Sequence, residues 1–243
     1  MIRTSSYELK PLSTAIQHAH DFIVVGEMHG SKQNAPLMQE LLSIMLTGPK
    51  PVTIAFEWTL SNSECDALRA YIYGDDVPVQ LPAFFLDSDG RFTPEHIPFL
   101  KWIRAYNSTH NNLINLHTFD DPNKNSGESD QAMANSLCTY KEQHPDSLIL
   151  VETGNMHARN LPYVCGDIEC IPMAAILKKK YDVFSIFLQY LQGEILVEGK
   201  NRDVTKAASQ QEGPGRYFDA VLEIPISEAA KNPDSLTKIA KLL

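Results

Sequence analysis

Phe22-Ile23-Val24-Val25-Gly26-Glu27-Met28-His29-Gly30 opens on four apolar residues, three of them β-branched, and closes on a polar turn bracketed by two glycines. A short apolar run that ends in such a turn reads as a strand buried on both faces. Beyond it, Leu37, Leu41, Leu42 and Met45 recur at helical spacing, and Gly48-Pro49 stops the helix. The pattern returns at Val52 to Phe56, Leu113 to Phe119 and Leu148 to Val151. Alternation of this kind predicts an α/β fold: an open, mainly parallel sheet with helices on both faces.

The second run leads to Ser61 with Glu64 three residues later, a capping box that opens a helix through about Tyr73, and Gly74 to Arg91 reads as a loop. Thr93 and Pro94 supply a cap and first helical residue for another helix, ending at about Asn107. Two successive helices interrupt the alternation, so 61–111 is read as a helical insertion over one end of the sheet, a candidate lid. Helices are also expected over 129–143 and 171–180. An apolar run spans 183–191, a long loop or hairpin 192–217, a last strand 220–224 and a short amphipathic helix 235–243. With no internal repeat and no low-complexity tract, residues 1–243 are read as a single α/β domain.

Of the 243 residues, 43% are hydrophobic and 21% charged, enough apolar material for a sizeable core. The formal charge is -9, and the longest basic run is Lys178 to Lys180. Such a surface repels a phosphate backbone, so no nucleic-acid partner is expected. Residues 1–21 lack the apolar stretch of about 7 to 15 residues of a secretory signal. No later segment approaches the roughly 18 apolar residues of a membrane span. A cytoplasmic location without a membrane partner is the expectation, and Cys65, Cys138, Cys165 and Cys170 are then read as reduced thiols.

Each of the four strands hands over to its turn through acidic or imidazole side chains. Glu27 and His29 follow the first, Glu57 the second, Asp120 and Asp121 the third, and Glu152 to His157 the fourth. In an open parallel sheet these positions meet at the carboxyl ends of the strands, where α/β proteins bind ligands. Glu27 and His29 are two apart, on one side of an extended chain, and a carboxylate beside an imidazole orients it and raises its basicity. Together with Glu57 and His157 the pair also offers the oxygen and nitrogen ligands that zinc, manganese or cobalt accept. Asn155 is a candidate to bind substrate or receive an oxyanion, and Asp120 and Trp58 are further candidate substrate contacts. Plainer readings exist: Glu57 as a helix N-terminal charge, Asp120-Asp121-Pro122 as a turn, Trp58 as core. His18, His20, His96, His110 and His144 read as solvated, and His117 as a core histidine. Neither a Gly-x-Ser-x-Gly elbow nor a Gly-x-x-x-x-Gly-Lys loop is present.

The stretches Ile23 to Gly30, Ile54 to Glu57 and Leu150 to Ala158, in that order, resemble the superfamily that joins erythromycin-esterase-like proteins, ChaN-like haem-uptake proteins and the TIKI and TraB proteins. Weaker echoes are Phe119-Asp120, Asp130 to Ala134, Ile171-Pro172 and Phe218 to Val221, so the likeness spans roughly residues 20 to 225. The resemblance implies an α/β core with a helical insertion after the second strand. In esterase-like members the first-motif histidine activates water, a role that falls on His29, with Glu27, Glu57 and His157 lining the site. TIKI-like members are metal-dependent proteases, which gives the same residues a ligand role. ChaN-like members bind haem, but the lipoprotein signal that accompanies them is not seen here. The expectation is a hydrolase of esterase or peptidase type acting on a small-molecule or peptide substrate, with or without a divalent metal. The alternative is a haem- or small-ligand-binding protein without turnover.

Overall fold

The structure is a computed structural model that describes residues 1–6, 8–17, 20–75, 90–111, 114–120, 126–197, 200–206 and 215–230. Strand β1 (Ile2–Ser5) and helix α1 (Lys10–Gln17) precede β2 (Phe22–Glu27). Then come α2 (Asn34–Met45), β3 (Val52–Phe56), α3 (Asn62–Ile72), α4 (His96–Thr109) and β4 (Ile114–Thr118). They are followed by α5 (Ser126–Gln143), β5 (Leu148–Gly154), the short strands β6 (Tyr163–Cys165) and β7 (Ile168–Cys170), and α6 (Met173–Leu177). The last elements are β8 (Val183–Tyr190), the hairpin strands β9 (Glu194–Val197) and β10 (Lys200–Asp203), and β11 (Ala220–Ile224).

Seven strands form one sheet in the order β1-β11-β8-β2-β5-β3-β4, and every neighbouring pair is parallel. The alternation in the opening stretch explains its two-sided burial. Ile23 and Val25 join the apolar cluster beneath α1 to α4, while Phe22 and Val24 join the cluster beneath α5 and α6. Burying each such side chain contributes about 1.5–3 kcal/mol. The chain leaves β2 for β3 and β4, returns to insert β5 between β2 and β3, then crosses to β8 on the other side of β2. That reversal makes the carboxyl ends of β2, β5 and β3 the switch point at which a crevice opens.

Helices α3 and α4 supply Leu68, Tyr71, Ile97, Phe99 and Leu100 to the same cluster as α2. The capping box at α3 has both bonds, Ser61 accepting from the Glu64 N–H and Glu64 accepting from the Ser61 N–H. Among the described residues strand β4 pairs only with β3, and side chains cover its outer edge. Asn107 Nδ2 donates to the Ile114 carbonyl at 2.9 Å, its Oδ1 accepts from the Ile114 N–H at 3.1 Å, and Arg69 Nε donates to the Leu116 carbonyl at 3.2 Å. This blunts a surface that would otherwise template pairing with another chain.

Several elements lay outside the sequence reading. β1 and α1 occupy the segment read only as polar, and a β6–β7 hairpin precedes α6. The 192–217 segment, expected as a long loop or hairpin, contains the β9–β10 hairpin. The 235–243 helix, most of the 74–91 loop, His18 and Asp121 lie outside the described residues. Among the described residues no helix is long and apolar enough to cross a membrane.

Candidate active site

Glu27 ends β2, Gly154 ends β5, and Glu57 follows β3 directly, so three neighbouring strands deliver the site. The ladder continues past them: the Glu57 N–H donates to the Glu152 carbonyl at 3.1 Å and the Asn155 N–H to the Glu27 carbonyl at 3.0 Å. Gly26 permits this closeness, since a Cβ there would lie 2.7 Å from Ala158 Cβ and 2.9 Å from Asn155 Cα.

His29 Nδ1 is hydrogen-bonded to Glu27 Oε1, and Asn34 Nδ2 donates to Glu27 Oε2. Asn34 also donates to the Met28 carbonyl at 2.9 Å and accepts from the Tyr190 hydroxyl at 2.6 Å, so α2 and β8 fix the carboxylate. On the other side, His157 Nδ1 is 2.8 Å from Asp130 Oδ1 on α5, which also accepts from the Met173 N–H at 2.7 Å. Each imidazole therefore has Nδ1 anchored by a carboxylate. Each Nε2 is 3.9 Å from the same atom, Glu57 Oε1. The other Glu57 oxygen accepts from the Thr153 hydroxyl at 2.6 Å and the Gly154 N–H at 2.7 Å.

A residue outside the sequence reading completes the cluster. Arg91 lies 3.2 Å from Glu57 Oε1 through one guanidinium nitrogen and 2.8 Å from Asp120 Oδ2 through the other. The Gly30 N–H donates to the Gly90 carbonyl at 2.9 Å, and Trp58 Nε1 donates to the Arg91 carbonyl at 3.1 Å, so the segment before α4 is tied to the site. Trp58 itself is stacked on Phe56 with ring centroids 3.9 Å apart and is 1% exposed. It holds the arginine's segment from the core and does not line the cavity. Asp120 accepts from Thr59 at 2.7 Å as well as from Arg91, and fixes the guanidinium.

The charges set the protonation states. Burial pushes the Glu57 carboxyl up, but His157, His29, Arg91 and the Thr153 hydroxyl outweigh it and hold it at about 2. Burial pulls the His29 imidazole down, but the charge and hydrogen bond of Glu27, with Glu57 behind them, lift it to about 9. His157 is raised in the same sense, its burial outweighed by Asp130 and Glu57. Burial pushes Glu27 up against the pull of His29, and the neighbouring Glu152 and Glu57 add to the rise.

His96 corrects the expectation of a solvated side chain. It is 1% exposed beneath Phe92 and Trp58, with Nδ1 accepting from the Thr93 N–H at 3.0 Å and Nε2 facing Glu152 Oε2 at 3.4 Å. Helical polarity misled the reading, because the first turn of α4 points into the sheet's end. His117, expected as a core histidine, is half-buried, with Nε2 3.1 Å from the Ser136 hydroxyl, and burial, with Arg69 beside it, lowers it to about 4. Asn155 is 6% exposed beside the imidazoles, and its Nδ2 has no hydrogen-bond partner among the described residues.

The expected metal ligands do come together, yet their carboxylate oxygens are engaged, while the two imidazole Nε2 atoms face Glu57 Oε1 at 3.9 Å. Glu27 is held by His29 and Asn34, Glu57 by Thr153, Gly154 and Arg91, and the guanidinium brings positive charge to the place where a cation would bind. Among the described residues no group of three or more His, Cys, Asp or Glu side chains is arranged to hold a metal ion. The set does not fit a divalent centre as folded. The cavity walled by Met28, His29, Gly154, His157, Ile195 and Val197 has a volume of about 260 Å³.

No family model matches the sequence, and no curated protein matches it. Solved structures do. A succinoglycan biosynthesis protein superposes with a TM-score of 0.68 at 11% identity, covering 93% of each chain. A single-site mutant of the erythromycin esterase EreC in its open conformation gives 0.60 at 11% identity, covering 76% of this chain and 74% of that one. The chain shares their fold. A Bacillus cereus protein has it too, with a TM-score of 0.60, 11% identity and 94% of each chain covered. The α/β architecture expected from the sequence is thus matched.

Proposed function

We propose that this chain is a hydrolase of the esterase or peptidase type, in which His29 and His157 act as a proton-transfer pair on either side of Glu57. The observation that carries the reading is the pair of carboxylate-anchored imidazoles whose Nε2 atoms each lie 3.9 Å from Glu57 Oε1. Polar atoms at that separation are spanned by one water at normal hydrogen-bond distance from both. Neutral His29 takes a proton at Nε2 as the water oxygen bonds to the substrate's carbonyl carbon. His157, protonated and anchored by Asp130, donates from Nε2 to the leaving oxygen or nitrogen as its bond to carbon breaks. The proton gained by His29 then restores that lost by His157, and the products are the carboxylic acid and the alcohol or amine. Arg91 keeps Glu57 ionised between the two rings. The fold shared with an erythromycin esterase supports the reaction class and leaves the substrate open.

The test is hydrolysis of a panel of esters, lactones and short peptides by the parent, His29→Ala and His157→Ala. Both variants are expected to lose at least a hundredfold in kcat/KM while retaining the parent's circular dichroism, since general acid and base contributions run to about 10²–10⁴. Equal turnover by parent and both variants overturns the assignment.

A further inference from the structure

We infer that the site takes an ester of a small, apolar carboxylic acid, with the reacting carbonyl carbon seated over Gly154. The inference rests on the hydrolase reading above and deepens it. A Cβ on Gly154 would lie 3.3 Å from His29 Nε2, 3.5 Å from His29 Cε1 and 3.5 Å from His157 Cδ2. The space above this glycine is therefore the slot between the two rings, and any side chain there would fill it. An sp² carbon approaching over the glycine comes within reach of both proton-transfer nitrogens.

Beside the polar Glu27 and Asn155, the remaining wall is apolar. Ile195 and Val197, two apart on β9, share one face of the hairpin, and Met28 and Met156 stand with them around the cavity. The wall is fixed in place, since the Leu196 N–H donates to the Gly30 carbonyl at 3.1 Å and the Ala230 N–H to the same oxygen at 2.8 Å. A volume of about 260 Å³ lies at the small end of ligand pockets, which run from about 300 to 1,000 Å³. A chain of a few carbons fits on the methionine, isoleucine and valine surface. A long acyl chain runs out of cavity, and a charged acyl group would be desolvated there without a partner.

Chain-length selectivity with 4-nitrophenyl acetate, butyrate and laurate tests this. Each methylene buried on the wall is worth about fourfold, so butyrate, two methylenes longer, is expected to exceed acetate by about fifteenfold in kcat/KM, with laurate no better than butyrate. Gly154→Ala is expected to lose at least tenfold on butyrate with an unchanged urea midpoint. Val197→Trp, which narrows the cavity away from the rings, is expected to reduce butyrate turnover more than acetate turnover. Laurate cleaved faster than butyrate, or both variants behaving as the parent, overturns the inference while the hydrolase reading stands. His29-dependent cleavage of peptides or lactones with none of these esters does the same. No His29-dependent hydrolysis of any substrate overturns both.

Discussion

Replacing Glu27 by Gln tests the electrostatic design of the site most directly. The amide keeps an oxygen for the His29 Nδ1–H but removes the charge that, with its hydrogen bond, is the main upward influence on the imidazole. What remains is burial and Arg91, both of which disfavour the cation, against Glu57 alone. His29 should therefore fall from about 9 to below its ordinary 6.5, a loss of more than two pH units or about 3 kcal/mol of preference for the imidazolium. Long-range ¹H–¹⁵N spectra of histidine-labelled protein read this without a substrate: at pH 7 His29 is expected doubly protonated in the parent and neutral in Glu27→Gln. Stability gives an independent reading. A raised imidazole stabilises the fold fully below its unfolded value of about 6.5, and that contribution is lost as pH rises through about 9. The alkaline loss should be flatter in the variant. If His29 activates water, the rising limb of log kcat/KM in the parent reaches its plateau near 9, and the variant's limb moves down by more than two units. A variant in which His29 still titrates near 9 would refute the reasoning, because something other than Glu27 would then be holding the proton.

Other outcomes follow from the same geometry. Glu57, held at about 2 against an ordinary 4.5, contributes stability that is present above 4.5 and lost as pH falls through about 2. Urea unfolding between pH 5 and pH 2 should show about 3 kcal/mol of that acid loss in the parent and not in Glu57→Gln. Gly26→Ala places a methyl 2.7 Å from Ala158 Cβ and 2.9 Å from the Asn155 backbone, so a lowered urea midpoint worth about 1–3 kcal/mol is expected. Dialysis against EDTA should leave hydrolysis unchanged, because the carboxylate oxygens that would bind a divalent ion already serve His29, Asn34, Arg91, Thr153 and the backbone; loss of activity restored by zinc or manganese would show that they rearrange around a metal.

The sequence by itself determined the strands and the chemistry at their ends. Short apolar runs and the polar turns that end them are local properties, so the strands begun at Phe22 to Val25, Val52 to Phe56 and Leu148 to Val151 are legible before any neighbour is known. Parallel pairing then requires Glu27, Glu57 and His157 to gather at one edge, whatever the strand order. Tertiary structure alone decided which partner each group meets. Insertion of β5 between β2 and β3 puts Glu57 between the two imidazoles. Asp130 reaches His157 from α5, and its only sequence signal is a weak family echo. Arg91 lies in a segment read as loop, and Asn34 and Tyr190 carry no local mark of the Glu27 carboxylate they hold. His96 was misread for the same reason: burial depends on what packs over a helix's first turn, here Phe92 and Trp58, and not on the polarity of adjacent residues. Hydrogen bonds and charge pairing act over a few ångströms in space, so their partners are settled only once distant segments have packed.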